Sequence, residues 1–371
     1  MADAITFIRS DEQTMLGTTL REFLAGAVDF DKVRELSTTE TAFDVGVWNG
    51  LKDIGVIGLH IPEEYGGAGM SLSETAVVFE ELGRVVAAVP LLSSVVASSA
   101  ITFGGSEEMK SRLLPAIADG DSIPTLALYE QSHGDPSKGE TTLAASGDSL
   151  TLSGTKRFVT DAPTATSFVV AAQRDGNPVL VVVSAASEGV TVDTTSSLDA
   201  TRPLGAVRFD DVAVDSNDVI EDAAGAIGWA IDVAATCLAS EQVGGAQRCL
   251  EISVEYAKTR FQFGRAIGSF QAVKHKCADM LVAVEHARSV ALHAADTIAD
   301  PDESRIAVPL ARSVCSDAFV KVAGDTIQVL GGIGFTWEHE AHLYFKRAKS
   351  ASLLFGSVDS YRDRLADAIG I

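Results

Sequence analysis

The chain of 371 residues carries 51 acidic side chains against 29 lysines and arginines, which gives a formal net charge of −22. Because a phosphate backbone or an anionic membrane surface attracts basic patches, this charge argues against nucleic acid and membrane as partners. Hydrophobic residues make up 46% of the chain, too many for a disordered protein, and the length favours two or three domains.

The segment Met1–Arg21 shows neither the apolar core of a signal peptide nor the basic pattern of a transit peptide. No apolar run elsewhere in the sequence reaches the roughly 18 residues of a membrane span. The sequence therefore predicts a cytoplasmic protein. Its cysteines lack C-x-x-C spacing and fall in helical patterns, which predicts reduced, buried thiols at Cys237, Cys249, Cys277 and Cys315.

Residues 1–122 are predicted to form an N-terminal helical domain. Apolar residues recur there at spacings of three and four, as between Phe79 and Val86, which is typical of helices. The strong interruption is the run of turn-forming residues in His60–Ser71, which predicts a loop.

Residues 123–224 are predicted to form a middle β domain, because short Val-rich runs alternate there with turn clusters such as Asp175–Pro178. The spacing of the glycines is compatible with a small antiparallel sheet or barrel. These glycines are Gly154, Gly176, Gly189 and Gly205.

Residues 225–371 are predicted to form a helical bundle, with long helices over about 226–258, 269–299 and 304–330. Pro301 cannot continue a helix, and the aspartates beside it suit the start of the next one. Long antiparallel helices joined by short loops imply a four-helix-type bundle.

The stretch Tyr256–Gln271 carries the most specific motif. Arg260 ends a helix and precedes an aromatic–glycine turn, a position from which a guanidinium can grip a phosphate; an interdomain salt bridge is the alternative. The stretch resembles the Arg-x-x-Phe-Gly signature of the acyl-CoA dehydrogenase family, followed by its Gln-bearing helix. This resemblance covers nearly the whole chain. It implies an α+β fold with an N-terminal helical domain, a middle β-barrel or sheet domain and a C-terminal four-helix bundle.

The resemblance also implies a flavoprotein that binds FAD between the β domain and the bundle, in contact with a second subunit. In the family, the arginine of this signature reaches the FAD diphosphate across the subunit interface. An aromatic residue packs beside the adenosine half, and a glutamine hydrogen-bonds the cofactor. These roles are thereby assigned to Arg260, Phe263 and Gln271.

A second motif, Gln328–Phe335, runs a helix into consecutive glycines, whose backbone can approach a ligand closely. A helix C-cap would explain one glycine. The full Gln-x-x-Gly-Gly run resembles the family's site for the ADP half of FAD, which assigns Gln328, Gly331 and Gly332 to the cofactor.

A third motif, Gly154–Asp161, is typical of a turn that enters a β-strand, and a half-buried structural strand is the alternative. It resembles the family segment that lays an aromatic ring near the flavin and a threonine hydroxyl on its reactive edge. Phe158 and Thr160 would take these roles.

The entry to the β domain, Leu126–Asp135, departs from the family's Thr-Glu-Pro-x-x-Gly-Ser-Asp. Tyr129 replaces the threonine that normally hydrogen-bonds the flavin pyrimidine, and Gln131 replaces the proline. Leu128 and Tyr129 are assigned to the flavin on the position of this segment.

Oxidation of a thioester at its α and β carbons needs a carboxylate that removes the α proton while the flavin accepts the β hydride. In most family members this base is a glutamate near the C-terminus, and the aligned run Leu354–Ser357 has Phe355 at that place. Ser357 is assigned to the cofactor. A minority of the family places the glutamate at a position that falls here on Ala234. Glu241, about two turns farther along that helix, is the candidate for a displaced base, and a pair with an arginine of the bundle is the alternative.

The resemblance thus implies an FAD-dependent acyl-CoA dehydrogenase of lipid metabolism that acts on a fatty, branched or steroid acyl-CoA. Two alternatives stay open. One is an FAD-holding or structural subunit of a mixed tetramer, as in actinobacterial members that degrade steroid side chains, and the other is a non-catalytic scaffold. The implied partners are an acyl-CoA, a second dehydrogenase-like chain or copy in a tetramer, and an electron-transferring flavoprotein. No metal site is predicted: His133 and His275 lie nearest the motifs, and His339 and His342 form an i, i+3 pair without a Cys partner at metal spacing.

Overall fold

The computed structural model describes residues 9–131, 135–146 and 149–371. The chain divides into two compact units. The first comprises the chain up to Phe30 together with Leu72–Ala87 and Ala235–Ile371, and the second comprises Asp31–Ser71 and Ala88–Ala234. The domain boundaries at residues 122 and 224 stay a prediction.

Six α-helices are the main regular elements of the described chain between residues 9 and 118. Ser10 caps the first helix in a reciprocal capping box with Gln13, and Asp44 caps the third with two backbone bonds. A short 3₁₀ turn, Glu63–Tyr65, lies in the predicted loop. The helices are α1 (Asp11–Ala27), α2 (Phe30–Leu36), α3 (Val45–Ile54), α4 (Leu72–Arg84), α5 (Leu91–Gly104) and α6 (Glu107–Ala118).

The helix α4 ends earlier than the apolar spacing predicts. Val86 lies outside it, with a φ of 49°, and the N–H of Ala87 bonds back to the carbonyl of Leu82 at 3.1 Å. This is the hydrogen-bond pattern of a left-handed helix end, which glycine usually occupies. The valine gave no sequence signal for it.

The second unit contains a sheet that buries an apolar core, with the side chains of Phe168, Val170, Val181 and Phe209 at 2% exposure or less. In the described part of the chain the sheet has the order β6-β7-β3-β2-β4-β5-β8, with β1 paired to β4. The strands are β1 (Pro124–Ala127), β2 (Thr142–Ser146), β3 (Ser149–Thr160), β4 (Ser167–Arg174), β5 (Asn177–Ser184), β6 (Val190–Thr195), β7 (Leu204–Val214) and β8 (Val219–Ile220).

Two features of this sheet differ from the sequence prediction. Both β1 and β2 pair with β4 in parallel, so the sheet is mixed rather than purely antiparallel. Gly154 lies inside β3 rather than in a turn before it, at a shift of the β3–β7 register, with a φ of 151°. A Cβ there would come within 2.5 Å of the Thr141 hydroxyl oxygen, so the glycine permits close strand packing.

Long helices make up most of the first unit. Asp300 caps α9 and Pro301 occupies its first turn, so the helix begins three residues before the predicted start at about residue 304. A small hairpin of β9 (Phe261–Gln262) and β10 (Arg265–Ala266) precedes α8. The helices are α7 (Ala223–Thr259), α8 (Gln271–Thr297), α9 (Pro301–Leu330), α10 (Ala341–Ala351) and α11 (Val358–Ile369).

Among the described residues, α7 is the one helix long and apolar enough to cross a membrane. Its most apolar window is 67% buried within the protein, and a buried core helix of this length meets the same criteria. The order of helices, sheet and helices along the chain confirms the predicted fold class.

Candidate functional site

The ends of three helices in the first unit lie side by side. Near the start of α8 and the end of α9, the Nζ atom of Lys276 lies 2.6 Å from the carboxylate of Asp325. The hydroxyl of Ser253 on α7 bonds that of Thr326 on α9 at 3.0 Å. The C-termini of α7 and α9 and the N-terminus of α8 therefore lie at the same end of this helix group.

The β9–β10 hairpin projects from this end. Phe263 and Gly264 both have positive φ angles, 52° and 78°, which is the backbone of a type I′ turn. The Phe263 side chain is 91% exposed. Arg260 directly follows α7, is exposed, and has no ion-pair partner among the described residues. The hairpin thus holds a guanidinium and an aromatic ring at the surface.

Bare backbone lies at the end of α9. Gly331 caps the helix with a φ of 64° and a ψ of −137°, and a Cβ on Gly331 or Gly332 would meet nothing within 4 Å. Gln328, one turn earlier, is exposed, as is Gln271, the first residue of α8.

These groups suit a dinucleotide. An exposed guanidinium can bind a diphosphate, amides can hydrogen-bond sugar or ring atoms, and a turn without Cβ atoms lets the ligand approach the backbone. The structure therefore brings together six of the sequence-predicted cofactor residues at one end of the helix group. They are Arg260, Phe263, Gln271, Gln328, Gly331 and Gly332.

In the second unit, the segment after β1 lies against β3. The N–H of Arg157 donates to the carbonyl of Tyr129 at 2.7 Å. The side chain of Phe158 is 40% exposed at a φ of 56°, whereas Leu128 and Thr160 are each 3% exposed. The four flavin residues predicted in this unit are thus neighbours, with Phe158 and Tyr129 the more exposed of them. Residues 132–134 of the Leu126–Asp135 segment lie outside the described residues.

A buried ion pair joins the same two segments. The Nζ atom of Lys156, which is 0% exposed, donates to the carbonyl of Leu128 at 3.2 Å and to the carboxylate of Glu130 at 2.7 Å. Burial raises the pKa of Glu130. Hydrogen bonds from Lys156 and from the Glu140 and Thr141 main chain outweigh this effect and hold the pKa at about 2. The sequence analysis did not predict this pair, although Lys156 lies inside the Gly154–Asp161 motif.

The turn at Phe355 is held by side chains from two helices. Arg312 of α9, fully buried, donates to the carbonyls of Ala351 and Leu354, the latter at 3.0 Å. The Tyr361 hydroxyl of α11 donates to the carbonyl of Phe355 at 2.9 Å. Phe355 has a φ of 54°, a left-handed backbone that large residues rarely adopt. The turn is therefore fixed by its surroundings, a role of Arg312 that the sequence analysis did not find.

Ser357 follows this turn and caps α11, because its hydroxyl accepts the N–H of Ser360 at 3.2 Å. The structure does not bring Ser357 to the glycine turn of α9. Arg312, which holds the Ser357 turn, lies about 24 Å along the axis of α9 from Gln328.

Glu241 of α7 is 2% exposed and accepts a 2.6 Å bond from the guanidinium of Arg347 on α10. This is the pair with an arginine of the bundle that the sequence left open as the alternative to a displaced base. Ala234, the other possible place for a base on α7, is fully buried.

Three of the four cysteines are buried free thiols, as predicted, and burial raises the pKa of each: Cys237, Cys249 and Cys315. Cys277 is only half-buried, because its part of α8 is partly open to solvent. Two of the histidines bond backbone: His339 accepts the N–H of Ala341, and His342 bonds the carbonyl of Trp337. Within the described ranges, no group of three or more potential ligands could hold a metal ion.

Models of the three domains of the acyl-CoA dehydrogenase family match the chain. The N-terminal domain matches residues 10–121, the middle domain residues 125–212 and the C-terminal domain residues 224–370. The chain therefore belongs to the acyl-CoA dehydrogenase family and is an acyl-CoA dehydrogenase-like flavoprotein, as the motifs predict. Membership of a flavoprotein family implies FAD as the cofactor.

Acyl-CoA dehydrogenase IpdE2 of Mycolicibacterium smegmatis is 33% identical over 348 residues, which cover 94% of this chain and 95% of that protein. Among solved structures, the ChsE4-ChsE5 complex from Mycobacterium tuberculosis aligns with 29% identity and a TM-score of 0.91, and 99% of both chains is covered. A variant of the Tcur3481-Tcur3483 steroid ACAD aligns with 33% identity and a TM-score of 0.88, over 97% of this chain and 98% of that one.

Proposed function

We propose that this chain is an FAD-binding subunit of an acyl-CoA dehydrogenase that works in a mixed tetramer, whose second chain brings the proton-abstracting carboxylate. The proposed substrate class is a steroid whose side chain is a CoA thioester. The observation that carries the proposal is that Glu241, the candidate for a displaced base, is bonded to Arg347; the family resemblance aligns Phe355 with the usual place of the base.

The phenylalanine cannot accept a proton, and Glu241 is a poor base while it is paired. Its carboxylate is engaged in a charge-assisted hydrogen bond with the guanidinium of Arg347, so that oxygen is not available to a substrate proton. To act as the base, Glu241 would have to give up this charge-assisted bond, at a cost of about 1.5–3 kcal/mol. A base supplied by a second chain avoids this cost.

The positions of the cofactor residues support a site shared between subunits. Within one chain the turn at Ser357 and the glycine turn after α9 lie at different places along α9. We infer that each FAD is held by residues from two chains, with Arg260, Phe263 and Gln271 of one chain reaching the cofactor of its neighbour.

In this site the chain's own residues bind and orient. The Arg260 guanidinium would hold the diphosphate, and Gln271 and Gln328 would donate amide bonds. The Gly331–Gly332 backbone would receive the ADP half, and Phe158 would lie beside the flavin. FAD, when bound, accepts the β hydride. The expected electron acceptor is an electron-transferring flavoprotein, and the expected compartment is the cytoplasm.

The names of the relatives support the mixed assembly and the steroid substrate in this proposal. Two of the structures aligned above are named as the ChsE4-ChsE5 complex and as a steroid ACAD. A homotetramer that uses Glu241 as a displaced base is the second candidate, favoured by the burial of that carboxylate within α7.

The test is a visible spectrum of the purified chain, alone and mixed with a co-purifying dehydrogenase-like chain. We expect flavin bands near about 370 and about 450 nm, and bleaching by a steroid side-chain acyl-CoA only in the mixture. A straight-chain acyl-CoA serves as the substrate control, and Glu241→Gln in the mixture should still bleach. Full bleaching by the single chain, lost in Glu241→Gln, would favour the second candidate. A colourless protein that does not bind added FAD in either preparation would contradict both candidates and favour a non-catalytic scaffold.

A further inference from the structure

Lys156 is one of the largest fully buried side chains in the described structure, although it carries a charge. Burial lowers the pKa of Lys156, because the ammonium loses its hydration. A lysine is rarely buried completely unless its charge is paired, so this ammonium is maintained by its specific contacts.

Those contacts are the carbonyl of Leu128 and the carboxylate of Glu130, which lie on either side of Tyr129. The neighbouring residue Arg157 binds the carbonyl of Tyr129 through its main-chain N–H. Three consecutive residues after β1 are therefore tied to two consecutive residues of β3. The register between the two segments is fixed at the place where both carry predicted flavin residues.

Glu130 is also anchored on its other side. Its carboxylate accepts the N–H of Glu140 at 2.6 Å, and the N–H and hydroxyl of Thr141 at 2.8 and 2.7 Å. Glu130 is thus held both by Glu140 and Thr141 and by Lys156. Glu130 cannot move without breaking at least four hydrogen bonds.

We propose that Lys156 is a positioning residue for the flavin: by holding Leu128 and Glu130 it sets the Leu128–Tyr129 main chain against Phe158 and Thr160 in the arrangement that binds the cofactor. The inference rests on the proposed function, because it needs a flavin between these segments. The ammonium also polarises the peptide group between Leu128 and Tyr129, since its carbonyl accepts a charge-assisted bond.

The test compares Lys156→Met with the wild-type full chain, in whichever assembly the wild type holds FAD. We expect the FAD dissociation constant to rise by at least about tenfold, the value of one lost charge-assisted bond. We also expect the flavin absorption bands to shift and its reduction potential to become more negative, because a buried positive charge near the flavin is lost. Fluorescence titration and spectroelectrochemistry measure these changes, and circular dichroism checks that the variant folds.

Lys138→Met is the matched control, because Lys138 also pairs with a carboxylate after β1 but is 80% exposed. It should leave FAD affinity unchanged. If Lys156→Met fails to fold, Glu130→Gln is the second variant. Glutamine has the same size as glutamate but forms a weaker hydrogen bond with Lys156, so FAD affinity should fall by about threefold.

A folded Lys156→Met protein with FAD affinity within about twofold of wild type and unchanged bands and potential would overturn the inference and leave the proposed function intact. A wild-type protein that binds no FAD in any assembly would instead overturn the proposed function, and the inference with it. The two failures are therefore distinguishable.

Discussion

His60 shows how burial alone changes the chemistry of one residue. Its Nε2 atom lies 2.8 Å from the hydroxyl of Ser98, and its Nδ1 atom is buried without a hydrogen-bond partner among the described residues. Burial lowers the pKa of His60 to about 4. The ring is therefore neutral in the folded protein at pH 5, where an unfolded histidine is mostly charged.

This difference predicts a loss of stability in mild acid. Between about pH 6.5 and about pH 4 the unfolded chain binds a proton at His60 that the folded chain does not, so the free energy of unfolding falls as the pH drops. The loss from this residue begins near pH 6.5, is complete below about pH 4, and is at most about 3 kcal/mol. Urea unfolding at pH 7.5 and pH 5 measures it.

His60→Gln is the variant for this measurement, because glutamine keeps a polar side chain that does not titrate in this range. We expect wild type to be the more stable protein at pH 7.5 and its advantage to shrink or reverse at pH 5. A wild-type advantage that is the same at both pH values would show that burial does not hold this ring neutral.

At the scale of the element, the crossing of α4 and α7 depends on two glycines. A Cβ on Gly244 would lie 1.8 Å from the carbonyl oxygen of Glu80, and a Cβ on Gly83 would lie 2.0 Å from that of Glu241. Real Cβ atoms do not approach a carbonyl so closely. The two helices therefore touch backbone to backbone within the first unit, and each glycine faces the other helix.

Gly244→Ala should consequently destabilise the protein, because the helices must separate and loosen the core around them. We expect a loss of about 3 kcal/mol in the free energy of unfolding, at the upper end for overpacked cores. Gly228→Ala on the same helix is the control. Nothing lies within 4 Å of a Cβ at Gly228, so alanine should stabilise α7 by about 0.5–1 kcal/mol. Chemical denaturation of both variants measures the difference, and equal effects of the two substitutions would contradict the close crossing.

The elements that carried a local signal could be predicted from the sequence. Asp300 and Pro301 predicted a break followed by a new helix, which begins three residues earlier than predicted, and apolar spacing predicted the long helices. The features in which the structure differs from the prediction carry no local sequence signal. Val86 adopts the left-handed backbone that ends α4, a position that a glycine would have made predictable. The parallel pairing of β1 with β4 joins segments far apart along the chain.

The same division holds for the candidate site. Arg260 and the glycines after α9 lie in continuous motifs, so their roles could be proposed from the residues alone. Lys156 and Glu130 are separated by 26 positions, and Glu241 and Arg347 by 106. The packing of the elements decides which buried charges meet across such separations. This packing could not be predicted from the single sequence.

At the scale of the whole molecule, the net charge of −22 is the dominant electrostatic feature. Many of the cations are already engaged in ion pairs, such as Arg21 with Glu81, Arg84 with Glu251 and Arg288 with Glu80. The remaining carboxylates therefore repel one another across the surface. Such self-repulsion destabilises a compact state, and salt screens it.

Added salt should accordingly stabilise this protein, although salt weakens exposed ion pairs. We expect the free energy of unfolding to rise by about 1 kcal/mol between about 10 mM and about 150 mM NaCl, as the Debye length falls from about 30 Å to about 8 Å. A variant with Glu12→Gln, Glu22→Gln and Glu188→Gln, three exposed positions, should be more stable at low salt and respond less to added salt. Urea unfolding at one fixed protein concentration measures both effects. If the stability of the wild type instead decreased with salt, the exposed ion pairs would outweigh the surplus of negative charge.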